Sequence, residues 1–127
     1  MKALQIVSLF LLIGISFSCD KETTQAQDAK ALEKIFAEIE TMAKSKACND
    51  SSQWMYTNYG AKACGGPVGY IAYSTKINTV LFLKKVNQHR TAQSAYNEKW
   101  GILSDCSIPQ EPNGVACEDG KAVLIYE

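Results

Sequence analysis

Hydrophobic and polar residues alternate along this chain with changing period, and each period predicts an element. Residues 3–17 form a nearly unbroken apolar run behind Met1 and Lys2. From Asp28 to Lys46 the apolar positions are Leu32, Ile35, Phe36, Ile39, Met42 and Ala43. Three- and four-residue steps place them on one stripe, which predicts an amphipathic helix packed on a core. Asp28 is the expected N-cap. Glu40 and Lys44 are spaced for an i,i+4 ion pair, and Lys44 and Lys46 suit the negative end of the helix dipole.

Residues 53–59 and 68–74 are rich in aromatic and β-compatible side chains, with turn formers between them. They predict an antiparallel hairpin with a Gly- and Pro-containing connection. Alternation puts Trp54 and Tyr56 on one face and Tyr59 on the other, and it separates Tyr70 from Tyr73. A long helix follows, with Phe82, Val86, His89, Gln93, Tyr96 and Trp100 on one face and Gly101 as its stop. Ser74 or Thr75 would cap it, and Thr91 could cap a second helix if it breaks. Val80-Leu81-Phe82-Leu83 is apolar all round, so a buried strand is the rival reading there. Near the C-terminus two β-rich segments flank Asp119-Gly120, the favoured pair for a type I′ hairpin turn. Glu118 and Lys121 would then face each other as opposite charges.

Helix, hairpin, long helix and hairpin predict an α+β fold: a small two-layer domain with an antiparallel sheet of about four strands on two or three helices. The 127 residues hold 13 basic and 13 acidic side chains. Without Lys2 the balance is one unit negative, so no basic field for nucleic acid or anionic lipid is present.

The N-terminal run is too short for the roughly 20 apolar residues of a membrane span. A positive start, a short apolar segment and small residues at its end predict a secretory signal peptide. Cleavage after Ser18 would release a soluble chain beginning at Cys19. Alternatively, Ser16-Phe17-Ser18-Cys19 resembles the lipobox of bacterial lipoproteins. That resemblance implies acylation of Cys19 and an exported protein, lipid-anchored to a bacterial membrane through its acyl chains. The chain then divides into a signal peptide (1–18), an acylated cysteine with a polar tether (19–27) and one domain (28–127).

Five cysteines are an odd number for an oxidising compartment. Acylation of Cys19 leaves Cys48, Cys64, Cys106 and Cys117 for two disulfides. Of the three possible pairings, Cys48–Cys64 and Cys106–Cys117 is preferred, because the first bracket a strand and the second pin a loop to the last hairpin. Each such bridge would stabilise by about 3 kcal/mol in the chain-entropy treatment.

Candidate chemistry is sparse. The dispersed cysteines and the single histidine, His89, make no zinc pattern, and no metal or cofactor is expected. Any Ser–His or Cys–His pair would have to use His89, which lies on a helical stripe. Asp105, Glu111, Glu118 and Asp119 cluster in sequence, as acids in a solvated loop do. No catalytic residue is assigned.

The unusual segment is Ala63-Cys64-Gly65-Gly66-Pro67. Lys62 precedes the glycines, so this is not a phosphate loop. The candidate binding residues are Trp54, Tyr56, Lys62, Gly65, Gly66, Pro67 and Tyr70. They predict a non-catalytic binding module on an envelope-anchored lipoprotein, most simply for a protein partner, as in inhibitors or immunity factors. A glycan- or peptidoglycan-binding lipoprotein would instead show a groove lined by Trp54, Tyr56 or Tyr70. A small envelope hydrolase would show convergent acids, or His89 beside a nucleophile.

Overall fold

A computed structural model describes residues 22–127. The expected signal peptide (1–18) and Cys19 lie outside the described residues. The elements are α1 (Gln25–Ala43), a 3-10 turn (Ser51–Gln53), β1 (Trp54–Tyr59), β2 (Gly69–Ser74), α2 (Thr79–Trp100), β3 (Gly114–Glu118) and β4 (Lys121–Ile125).

α1 starts four residues earlier than expected, because Thr24 and not Asp28 is the N-cap. The Thr24 hydroxyl accepts from the Gln27 amide at 3.3 Å, and the Thr24 amide donates to the Gln27 side chain at 2.9 Å. This reciprocal capping box satisfies two orphan donors of the first turn. Asp28 sits in that turn and turns its carboxylate toward α2 instead. The expected Glu40–Lys44 pair forms at 3.0 Å.

α2 is one helix, unbroken at Thr91 and helical through Val80–Leu83. Its cap is Asn78, whose side chain accepts from the Leu81 amide at 3.0 Å, rather than Ser74 or Thr75. Ser74 is the buried last residue of β2 and its hydroxyl accepts from the Lys76 amide at 3.1 Å, while the Thr75 hydroxyl donates to the Gln53 carbonyl at 3.1 Å. Gly101 ends α2 in the left-handed region, as expected.

The helical stripes meet in one core, where Ile39, Ala43, Tyr73, Phe82 and Val86 are buried and Phe36, Tyr59 and Ile71 pack around them. Burying a side chain such as Ile39 or Phe82 contributes about 2–3 kcal/mol.

The four strands form two two-stranded antiparallel sheets, not one sheet of four. β1 pairs with β2 in the register Trp54↔Ser74 to Tyr59↔Gly69, which turns Tyr59, Ile71 and Tyr73 toward the helices. Trp54, Tyr56, Tyr70 and Ala72 occupy the opposite face. β3 lies against β1 and β4 against β2, so the second hairpin stacks over that aromatic face instead of extending the sheet edge to edge. A sheet with apolar residues on both faces needs cover on both. The Asp119-Gly120 turn is as expected, with φ of 48° and 75°, and Glu118 stands opposite Lys121.

Both disulfides are present, but the pairing differs from the expected one. Cys48 joins Cys117, with Cα atoms 5.2 Å apart, and Cys64 joins Cys106, at 5.3 Å. Cys48 and Cys64 lie beyond opposite ends of β1, a six-residue strand. Such a strand spans about 20 Å, far beyond the reach of a disulfide. The Cys48 amide instead donates to the Gly120 carbonyl at 2.8 Å, which seats it beside the second hairpin and Cys117.

Candidate functional site

The β1–β2 connection is a braced loop. The Gly65 amide donates to the Lys62 carbonyl at 2.9 Å and the Lys62 amide to the Gly66 carbonyl at 3.0 Å, closing a tight reversal. Gly65 and Gly66 have φ of +98° and +81°, and an added Cβ would meet nothing within 4 Å at either. Glycine is therefore required there by backbone conformation, not by crowding.

Three ties hold the loop. Cys64 is bridged to Cys106, and its amide donates to the Ser104 hydroxyl at 3.1 Å. The Ala61 amide donates to the Gln93 side chain, and the Asn97 side chain donates to the Ala61 carbonyl, each at 2.8 Å. The Lys62 ammonium pairs with Asp105 and donates to the Ser107 carbonyl at 2.7 Å. Hydrogen bonds from Lys62 and then Ser107 hold the Asp105 carboxyl down to about 2. The Lys62 side chain is only 16% exposed, so it acts as a buttress rather than a free contact. Gly65 and Gly66 remain exposed and Pro67 is half-buried, at the edge of a shallow depression facing α2 at Arg90 and Ser94.

The aromatic candidates lie elsewhere. Tyr56 and Tyr70 meet edge to face with ring centroids 6.0 Å apart, and the Tyr56 hydroxyl donates to Glu111 at 3.4 Å. Trp54 is 9% exposed. Trp54 and Tyr70 line a groove of about 740 Å³, and Tyr56 does not. The C-terminal end of α1 and the following segment to Ala47 form one wall, and Lys121, Ala122 and Leu124 of β4 form the other. The structure thus splits the candidates into two places: Gly65-Gly66-Pro67 at the loop, and Trp54 with Tyr70 at the groove.

Sequence reasoning missed Lys46, Lys121, Ala122 and Leu124 as groove residues. Their proximity arises only when the second hairpin stacks on the first, and no local pattern encodes that.

His89 is 6% exposed, and its Nδ1 has no hydrogen-bond partner. It lies beside Phe36, with ring centroids 5.2 Å apart, in a cleft shared with Glu33, Gln93 and Tyr96. Desolvation lowers its pKa. No Ser or Cys lines that cleft. The acids do not converge either: Asp105 serves Lys62, Glu111 accepts from Tyr56, Glu118 faces Lys121 and Asp119 forms the turn. Among the described residues no group of three or more His, Cys, Asp or Glu could hold a metal ion, and no helix is long and apolar enough to cross a membrane.

No protein-family model, curated protein or solved structure matches this chain.

Proposed function

We propose that this protein is an envelope-anchored lipoprotein whose domain binds a protein partner without catalysis, in the manner of an inhibitor or immunity factor. The supporting observation is the loop Gly65-Gly66-Pro67, exposed at its glycines and tied down by Cys64–Cys106, the Lys62 buttress and α2. A loop ordered before binding loses little entropy on association, which favours affinity. Acylation of Cys19 fits the bridge pattern, because Cys48, Cys64, Cys106 and Cys117 satisfy one another. Attachment then rests on acyl chains; more than one chain makes such an anchor stable.

The test is affinity capture from the producing cell's envelope with the natural protein and with a Cys64→Ser/Cys106→Ser variant. The reading expects a defined protein partner with the first and much reduced recovery with the second. Equal recovery by both, or no protein at all, would overturn it. Intact mass of the natural product tests the anchor, since a mature species without acyl mass removes it.

A second reading, a glycan- or peptidoglycan-binding lipoprotein, draws support from Trp54 and Tyr70 in the groove. Muropeptide binding that is lost in Trp54→Ala would favour it.

A further inference from the structure

The groove runs along a strand edge. Tyr70, Ile71 and Ala72 are consecutive in β2, and their side chains alternate between faces, yet all three border it. A cavity that touches both faces of a strand meets that strand at its edge. Among the described residues β2 has one strand neighbour, β1, and its other edge is unpaired.

The direction of the backbone groups follows from the register. The Thr75 amide donates to the Gln53 carbonyl at 2.8 Å, continuing the β1–β2 ladder by one hydrogen-bonded pair. Alternation makes Met55–Tyr73 and Thr57–Ile71 the next hydrogen-bonded pairs, which leaves the N–H and C=O of Tyr70 and Ala72 pointing outward. No backbone group of the described residues takes them up across this edge.

Charge at the rim is uneven in a chain that is otherwise balanced. Lys44 is paired with Glu40, whereas Lys46 and Lys121, one on each wall, form no ion pair among the described residues, Glu118 standing opposite Lys121 in register without closing one. Between them the groove is lined by Trp54, Tyr70, Ala122 and Leu124.

We propose that the free edge of β2 takes an extended acidic segment of a partner protein as an added strand, with Lys46 pairing its carboxylates and Lys121 adding positive charge at the opposite rim. The proposal rests on the protein-binding reading above and goes beyond it, placing a contact at the groove, apart from the Gly65-Gly66-Pro67 loop. An added strand supplies main-chain hydrogen bonds for affinity and alternating side chains for specificity. Alternation sends the segment's apolar side chains toward Trp54 and Leu124 on the β4 wall and its acidic ones toward the α1 wall, where Lys46 stands, while Lys121 adds positive charge at the opposite rim. A saccharide presents no row of alternating amide donors and acceptors at strand spacing, so the outward groups of Tyr70 and Ala72 favour a peptide over a glycan.

The probe is a short labelled peptide alternating Val and Glu, with a Val/Lys counterpart and an N-methylated Val/Glu version whose donors are blocked along one edge. Binding to the full chain in mild detergent is read by fluorescence anisotropy. The acidic peptide is expected to bind, more weakly as salt rises, and the basic one not to bind. N-methylation on the pairing edge should weaken it about tenfold, the effect of losing one or two net hydrogen bonds. Ala72→Pro removes one outward N–H at a place where an edge strand tolerates proline, so it should lose binding with an unchanged circular dichroism spectrum. Lys46→Glu with Lys121→Glu should lose binding as well.

Indifference to N-methylation, equal affinity for acidic and basic peptides, displacement by muropeptides, or absence of binding would each overturn the proposal. If the peptide fails while envelope capture still depends on the Cys64–Cys106 loop, the groove alone is refuted. If capture fails too, the protein-binding reading falls with it.

Discussion

The Trp100 indole N–H donates to the Asp28 carboxylate at 3.0 Å, tying the last residue of α2 to the first turn of α1. Lys99 joins the same carboxylate at 2.8 Å and lies 4.8 Å above the Trp100 ring. α1 and α2 therefore run antiparallel, pinned at this end by Asp28 and farther along by the Lys85–Glu38 ion pair.

Asp28 should make the domain sensitive to acid. Hydrogen bonds from Lys99, then Thr23 and Trp100, hold its carboxyl down to about 2, against an ordinary 3.8. A depressed carboxyl contributes stability that is present above the unfolded value and lost as pH falls through the folded one. The loss is thus expected between about pH 4 and about pH 2. Asp105 acts over the same window. Melting temperature against pH should flatten partly in Asp28→Asn and further in Asp28→Asn/Asp105→Asn; an unchanged acid slope would refute the assignment.

His89 should act at milder pH and with the opposite charge logic. Burial lowers its folded pKa below the ordinary 6.5, so the unfolded chain takes up a proton first as pH falls. Stability should therefore decline as pH drops below about 6.5, until the folded-state imidazole is protonated too. His89→Leu removes both the titration and the unsatisfied Nδ1. It should raise stability near neutral pH by about 1 kcal/mol and flatten the slope below about pH 6.5. Denaturant titrations at several pH values measure both.

Phe82 is fully buried and Leu103 is 93% exposed, although both are large apolar residues beside a helix end. Phe82→Ala should cost about 3–5 kcal/mol, by lost burial plus the cavity left behind. Leu103→Ala should stay within about 0.5 kcal/mol of the parent. Urea unfolding of the two variants gives the comparison directly.

Non-reducing proteolysis and mass spectrometry should recover Cys48–Cys117 and Cys64–Cys106 peptides and neither of the alternative pairings. Cys64→Ser/Cys106→Ser opens a loop with a sequence separation of 42 and should cost about 4 kcal/mol in the chain-entropy treatment. A loss well under 1 kcal/mol would mean that residual structure already restrains this segment in the unfolded chain.

Local chemistry made much of this fold legible. The stripe of Phe82, Val86 and His89 marked the buried face of α2, Gly101 marked its end, and Asp119-Gly120 marked the last turn. The start of α1 was legible in principle, since Thr24 and Gln27 have capping-box spacing, but their polarity resembles that of a tether. The stacking of two small sheets was not legible, because strand alternation states which residues share a face and not what covers it. The disulfide pairing and the groove both depend on that stacking, which brings Cys117 to Cys48 and Lys121 opposite Lys46. The glycine loop was visible as a motif, whereas the buttressing of Lys62 by Asp105 joins residues 43 apart in the chain.

The Cys48–Cys117 bridge encloses the Cys64–Cys106 bridge. A chain delivered amino-terminus first through a narrow pore would present Cys48 and Cys64 to an oxidant before either native partner had emerged. Premature oxidation at that moment joins two thiols that the finished molecule holds beyond opposite ends of a strand. Correct maturation then depends on a catalyst that reshuffles the first bond, or on oxidation slow enough to wait for the carboxyl terminus.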